Sequence, residues 1–225
     1  MALFVDCAFL TDVQPICARY PVSGVTTNPS ILLAAAQRAQ HLSDIELVRE
    51  LLQVCRGPIF MQPMADAASD LYAAAECYIA LAPDRVVPKL PPTEAGMEVG
   101  MALVRAGARV AFTATCSLAQ VYCAAQAGAS WVIPYFGRMR RAGEDPCERV
   151  AGMVRLLALQ ETPTRVLVAS LKSPGDLVEA TLAGAHDVTA PPELIRSLLE
   201  DPLTSTALEQ FSADWEKLRA AVAQT

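Results

Sequence analysis

Lysine is scarce in this 225-residue chain, which has only Lys89, Lys172 and Lys217. Histidine is scarcer, with His41 and His186 far apart in sequence, which argues against a histidine-rich zinc site. No Gly-x-Gly-x-x-Gly follows a strand-like run and no P-loop pattern appears, so the usual phosphate cradles of nucleotide cofactors are missing. No apolar stretch reaches the ~18 residues that would span a bilayer. The apolar start Met1-Ala2-Leu3-Phe4-Val5 runs straight into Asp6 with no basic residue before it, so it reads as a strand rather than a signal peptide. The expected setting is the cytoplasm, with no membrane partner. Basic residues cluster only at Arg138, Arg140 and Arg141, and the net charge is −6, which argues against nucleic acid as a partner. The seven cysteines are odd in number and none form a Cys-x-x-Cys pair, so they are expected to be reduced thiols. Among them Cys17, Cys55 and Cys77 fall in helix-like stretches, as small core residues would.

What is present is regular. Hydrophobic residues make up 53% of the chain, enough for one large domain over residues 1–225. Short β-rich runs recur at Leu3–Asp6, Gly24–Thr27, Ile59–Gln62, Val86–Leu90, Val110–Ala114, Trp131–Tyr135, Val166–Ser170 and Asp187–Ala190. Between them lie segments with helical apolar spacing, such as Ala67–Leu81, Ala95–Arg105, Leu118–Ala127 and Pro146–Leu159. Ser43 with Glu46 forms a capping box, and Ser173-Pro174 reads as an N-cap followed by proline at the first helical position. Eight β-α units at roughly 28 residues each approach the minimum for a crossover repeat. The predicted class is therefore α/β, a closed (β/α)8 TIM barrel with an extra C-terminal helix, against an open doubly wound sheet as the rival.

A barrel gathers its reactive groups at the C-terminal ends of its strands. Asp6, Thr27 with Asn28, Gln62, Lys89, Thr113, Tyr135 and Ser170 close the predicted strands. One polar strand end is usually a helix cap, and Asn28 before Pro29 fits that role. Seven such ends at one mouth point to a site. Lys89 stands out because it interrupts an apolar run, Val86-Val87-Pro88-Lys89-Leu90. A lysine there is either a strand-end residue whose head reaches water or a desolvated amine pushed toward neutrality. A neutral amine is a nucleophile for carbonyl carbon, which is the basis of Schiff-base chemistry.

Gly24-Val25-Thr26-Thr27-Asn28-Pro29-Ser30 resembles the signature of the transaldolase family. Val86-Val87-Pro88-Lys89-Leu90-Pro91, Thr113-Ala114-Thr115, Ile133-Pro134-Tyr135-Phe136-Gly137-Arg138 and Ala169-Ser170-Leu171-Lys172-Ser173-Pro174 are similar to further family segments in the same order. Length and the pair Gln62 and Tyr135 bring the chain nearest to the short fructose-6-phosphate aldolase-like branch. Transaldolases proper carry Glu at the Gln62 position and usually an aromatic without hydroxyl at the Tyr135 position. The resemblance implies a Schiff base on Lys89 and no other cofactor or metal. It implies proton transfer by Tyr135 through a water held with Gln62 and Thr113, and donor hydroxyls bound by Asp6 and Asn28 beside Thr27. Arg138 and Ser170 would bind phosphate, aided by backbone N–H groups at the helix beginning Ser173-Pro174-Gly175. The partners implied are sugar phosphates, hydroxyketones and aldehydes. Two alternatives stay open: a transaldolase passing on a dihydroxyacetone unit, and a non-catalytic sugar-phosphate-binding barrel.

The sequence also departs from the family pattern. Pro63 and Pro88 flank the chemistry where β-formers are usual, so bulges are expected there. Cys7 stands where a hydroxyl residue is common, and Gly137 where a polar one often contacts substrate. Beyond the eighth unit, Thr206 and Glu209 read as a capping box. Leu208, Phe211, Trp215, Leu218 and Val222 then follow at helical spacing. This helix, residues 204–222, either packs on its own barrel or, as the resemblance implies, on a neighbouring subunit of a homo-oligomer (a pentamer or decamer).

Overall fold

In the computed structural model, which describes residues 1–223, the short apolar runs become eight parallel strands. The chain order is β1 (Ala2–Asp6), α1 (Leu10–Arg19), β2 (Val22–Thr26), α2 (Pro29–Gln37), α3 (Asp44–Val54), β3 (Ile59–Met61), α4 (Ala68–Ile79), β4 (Val86–Leu90), α5 (Glu94–Arg105), β5 (Ala111–Thr113), α6 (Leu118–Gln126), β6 (Trp131–Ile133), α7 (Phe136–Arg141), α8 (Pro146–Leu159), β7 (Arg165–Val168), α9 (Pro174–Leu182), β8 (Asp187–Ala190), α10 (Pro192–Ser197) and α11 (Pro202–Val222). Each strand pairs with the next and β8 pairs with β1, so the sheet closes into a barrel. This is the predicted (β/α)8 fold with an extra C-terminal helix. Among the described residues, no helix is long and apolar enough to cross a membrane.

Two cores follow from the two-residue side-chain period of the strands. Residues facing outward, such as Val5, Val25, Ile59, Val86, Leu90 and Phe112, pack under the helices. Those facing inward, Phe4, Phe60, Val87, Ala111, Trp131, Ile133, Leu167 and Ala169, fill the barrel. Phe60 contacts Phe4 and Trp131 edge-on, with ring centroids 5.4 and 5.1 Å apart. At the N-terminal end of the barrel the buried Asp187 carboxylate closes this floor. It accepts from Arg165 (Nε 2.7 Å, a second N–H 2.7 Å), the Trp131 indole (3.2 Å) and the Ala2 N–H (2.8 Å). A buried carboxylate with four donors is fully satisfied, which a core site requires.

Local chemistry sets the helix starts. The Ser43–Glu46 capping box forms, Ser117 with Gln120 makes another, and Ser173 caps α9 with Pro174 behind it. Strands end sooner than the sequence suggests: Ala114 and Ser170, expected within strands, adopt φ of +59° and +65°, which a strand cannot continue through. The bulges expected at the two prolines do not form. Pro63 lies beyond β3, and Pro88 sits in a regular β4 as the last residue in register with β3, just before Lys89 and Leu90 register with β5. The missing proline N–H thus falls where the ladder passes from one neighbour to the other. The Thr206–Glu209 capping box is also absent. Asp201 caps α11 with Pro202 at its first turn, and the Thr206 hydroxyl donates back to the Pro202 carbonyl at 3.0 Å inside the helix. None of the described residues of α11 is buried, and Phe211 and Trp215 are 66% and 60% exposed, so α11 does not pack on its own barrel. Of the three helical cysteines Cys55 is buried, Cys17 half-buried and Cys77 exposed.

Candidate active site

The strand alternation that fills the barrel also builds its mouth. On most strands the inward position above the barrel filling carries a polar group: Asp6 after Phe4, Lys89 after Val87, Thr113 after Ala111, Tyr135 after Ile133 and Thr189 after Asp187, whereas β7 places Ala169 there. With Thr26 on β2 and Gln62 just past β3, they line a cavity of about 400 Å³. Asn28, Arg138, Ser170 and Lys172 line its rim. Eight of the nine sequence candidates therefore meet here: Asp6, Asn28, Gln62, Lys89, Thr113, Tyr135, Arg138 and Ser170.

Thr27 does not. It is fully buried facing the other way, its hydroxyl bonded to the Phe60 carbonyl (3.0 Å) and near the Met61 sulfur (3.0 Å). Its neighbour Thr26 faces the cavity, where its hydroxyl donates to Asp6 Oδ1 at 2.6 Å and lies 2.7 Å from the Thr189 hydroxyl. Counting in twos from Gly24, whose absent Cβ leaves room for the Phe4 ring, selects Thr26 rather than Thr27. Thr189 escaped the sequence reading because nothing in its short run marks it except the same count.

Lys89 is 3% exposed, one layer above the aromatic floor. Burial penalises the ammonium and pushes its pKa down to about 8, opposed by the negative charge of Asp6. Asp6 is moved the other way. Burial raises its pKa, while Lys89, the Thr26 hydroxyl and Lys172 favour its ionised form. The geometry is a desolvated amine that gives up its proton more readily than an ordinary lysine, with a carboxylate near enough to restrain the shift. Beside it the Tyr135 phenol and the Thr113 hydroxyl are 3.1 Å apart. The Arg138 guanidinium stands 4.7 Å over the Tyr135 ring. Gln62 lines the same cavity, with its amide N–H directed at the Met64 sulfur, 3.6 Å away.

The rim differs from expectation at one place. Ser173, Pro174 and Gly175 do not line the cavity, and the first turn of α9 is partly capped from within: Ser173 accepts from the Asp176 N–H, and the Asp176 carboxylate accepts from the Lys172 N–H at 2.8 Å. Asp176 supplies the negative charge that a helix N-terminus favours, and it also pairs with Arg140, which reaches Glu179 as well. The helix start that opens on the cavity is that of α2. Asn28 caps it by accepting from the Ile31 N–H at 3.0 Å, and Pro29, Ser30 and Ile31 line the wall.

The family model described as Transaldolase/Fructose-6-phosphate aldolase matches residues 3–224. The chain belongs to that family. A protein from Symbiobacterium thermophilum named "Probable transaldolase" is 33% identical over 99% of this chain and 100% of its own length. One of the same name from Thermus thermophilus is 34% identical over 97% of this chain and 100% of its own. Among solved structures a mandelate oxidase superposes with TM-score 0.59 at 16% identity, over 87% of this chain and 66% of that chain. A flavocytochrome b2 does so with TM-score 0.60 at 14% identity, over 88% and 58%. These two share the barrel and carry no inference about chemistry.

The departure from the family pattern at Gly137 has a steric reason. A Cβ at Gly137 would meet the Ser170 carbonyl at 2.5 Å, and the Gly137 N–H donates to that same oxygen at 3.1 Å. A larger residue would push apart the loops that carry Tyr135 and Ser170. Cys7 faces away from the mouth, its thiol pushed up to about 11 by burial.

The shift on Lys89 is measurable. Since only the free amine is acylated, labelling of the Lys89 peptide by acetic anhydride should rise tenfold per pH unit and level off near pH 8. Asp6→Asn removes the charge that holds the proton on, so the break should move to lower pH. A break near 10.4, the value of an unperturbed lysine, would mean that Lys89 is solvated and charged.

Proposed function

We propose that this transaldolase-family chain is a class I aldolase that cleaves and forms fructose 6-phosphate-like ketoses from dihydroxyacetone-type donors and glyceraldehyde 3-phosphate-type aldehydes. The observation that carries the reading is the buried Lys89 amine, its pKa lowered by desolvation, in one cavity with the Thr113–Tyr135 pair. The amine adds to the donor ketone, and loss of water leaves an iminium. The electron pair of the C3–C4 bond flows into that iminium, giving an enamine on Lys89 and an aldehyde, while the C4 hydroxyl proton leaves to the Tyr135 side. The enamine then takes a proton at C3, and water hydrolyses the iminium to release the ketone. The electron sink is thus the lysine adduct itself.

The other cavity residues fit this scheme. The Tyr135 hydroxyl, with Thr113 and Gln62, handles the protons, and Gln62 orients without titrating. Asp6 and Asn28 face donor hydroxyls; Asn28 spends its carbonyl on the α2 cap, which leaves its NH₂ group for a ligand. Arg138, Lys172 and Ser170 form the cationic, polar rim suited to the phosphate of the acceptor. The second reading is transfer of the dihydroxyacetone unit to another aldose, and it is favoured by the names of the relatives.

Product analysis separates the two. Incubation with fructose 6-phosphate alone should release free dihydroxyacetone; turnover that appears only when an aldose acceptor is added would establish transfer. In the same assay Tyr135→Phe should slow cleavage by about 10²-fold or more, the scale of a lost general acid/base. Arg138→Ala should raise KM for glyceraldehyde 3-phosphate by roughly 10- to 100-fold, as loss of a charged hydrogen bond would, and spare unphosphorylated glyceraldehyde.

We also infer a homo-oligomer, a pentamer or decamer, in the cytoplasm. α11 supports this, since it presents Leu208, Phe211, Trp215, Leu218 and Val222 to solvent. At about 25 cal/mol per Å² of apolar surface, covering such a stripe contributes several kcal/mol. Light scattering on the intact chain should give a multiple of 24.0 kDa, and a clean monomer would refute the assembly.

A further inference from the structure

At the end of the barrel opposite Lys89, where β2 and β3 begin, Cys17 and Cys55 line one open cavity of about 480 Å³ with Ser23, Arg56 and Gly57. Cys17 lies near the end of α1 and is half-buried; Cys55 is the C-cap of α3 and 4% exposed. Both belong to the packing of α1 against α3. The two thiols are in hydrogen-bonding contact with each other. The mechanism proposed above uses neither.

The surroundings bias Cys55 toward its thiolate. The negative end of α3 opposes an anion there. Against it, the Arg85 guanidinium donates to the carbonyls of Leu52, Cys55 and Gly57, neutralising that helix end, and brings its positive charge beside the sulfur. The Gly57 N–H adds a further donor. The hydrogen bond from Cys17 is the largest contribution, and with Gly57 and Arg85 it outweighs burial and holds the Cys55 pKa below that of an ordinary thiol. Two other cysteines show the contrast: Cys7 and Cys147 are pushed up, chiefly by burial.

We propose that Cys17 and Cys55 are a redox-modifiable pair, in which Cys55 is the site attacked by a small hydroperoxide entering this cavity and Cys17 resolves the product to a reversible disulfide. The Cys55 thiolate attacks one oxygen of hydrogen peroxide and the O–O bond breaks. One oxygen stays on sulfur as a sulfenic acid, and the other takes a proton and leaves as water. The Cys17 sulfur then attacks the Cys55 sulfur. The S–O bond breaks, and hydroxide departs with the Cys17 proton as a second water. Two thiols have given up two electrons, and the peroxide has become two waters. The bridge ties the end of α1 to the end of α3 and encloses residues 17–55, the segment that carries Thr26 and Asn28.

The test treats the intact chain with one equivalent of hydrogen peroxide and maps it without reduction. The expected result is a loss of about 2 Da, the mass of the two hydrogens given up. It should come with a Cys17–Cys55 linked peptide, reversal by dithiothreitol, and consumption of Cys55 at least roughly tenfold faster than the exposed Cys116 or Cys123. In Cys17→Ser the sulfenic acid should persist on Cys55 and be captured by dimedone. The proposal is overturned if Cys17 and Cys55 stay reduced while the exposed cysteines oxidise, if the bridge joins other cysteines, or if Cys17→Ser yields no dimedone adduct on Cys55.

Discussion

A lysine amine held out of water is the constraint around which the barrel is arranged. Desolvating an ammonium is costly unless the charge is compensated or lost. Both remedies operate at Lys89: burial pushes the group toward its neutral form, and the Asp6 charge limits how far. The compensation extends outward, because Asp6 is itself held by Thr26, which meets Thr189 from the strand on the far side of β1. Below, Phe4, Phe60 and Trp131 close the barrel, and Asp187 with Arg165 seals its base. Lys89 thus sits between an apolar floor and a ring of hydroxyls and amides.

Much of this was legible in the sequence because a barrel obeys two periods. The alternation of β-rich and helical segments sets the fold, and the strand ends locate the mouth. What the strand ends alone could not give is parity. Thr26 and Thr27 look alike in the chain, but the two-residue period counted from Gly24 sends the first into the cavity and the second into the outer core. Thr189 needed the same count. β3, β5, β6 and β7 stop one or two residues short of the runs read from the sequence, and at β5 and β7 Ala114 and Ser170 turn into left-handed backbone that no β-propensity reveals. The α9 start was legible as a cap, but not the Asp176 carboxylate that turns back to the Lys172 N–H and pairs with Arg140.

The departures from the family pattern turn out to be local solutions. Pro88 sits where the β4 ladder changes partners, and Gly137 permits the close approach of the β6 and β7 loops that sets Tyr135 beside Ser170. Neither displaces Lys89 from the inner face of β4. The barrel therefore keeps the amine in place, with Arg138, Lys172 and Ser170 at the rim of its cavity.

Reductive trapping decides whether Lys89 forms the proposed covalent adduct. Borohydride added with dihydroxyacetone should fix the donor as a secondary amine on the peptide that contains Lys89, with matching loss of activity, and Lys89→Met should show neither adduct nor turnover. An adduct confined to Lys172 or Lys217, or normal turnover in Lys89→Met, would contradict the account.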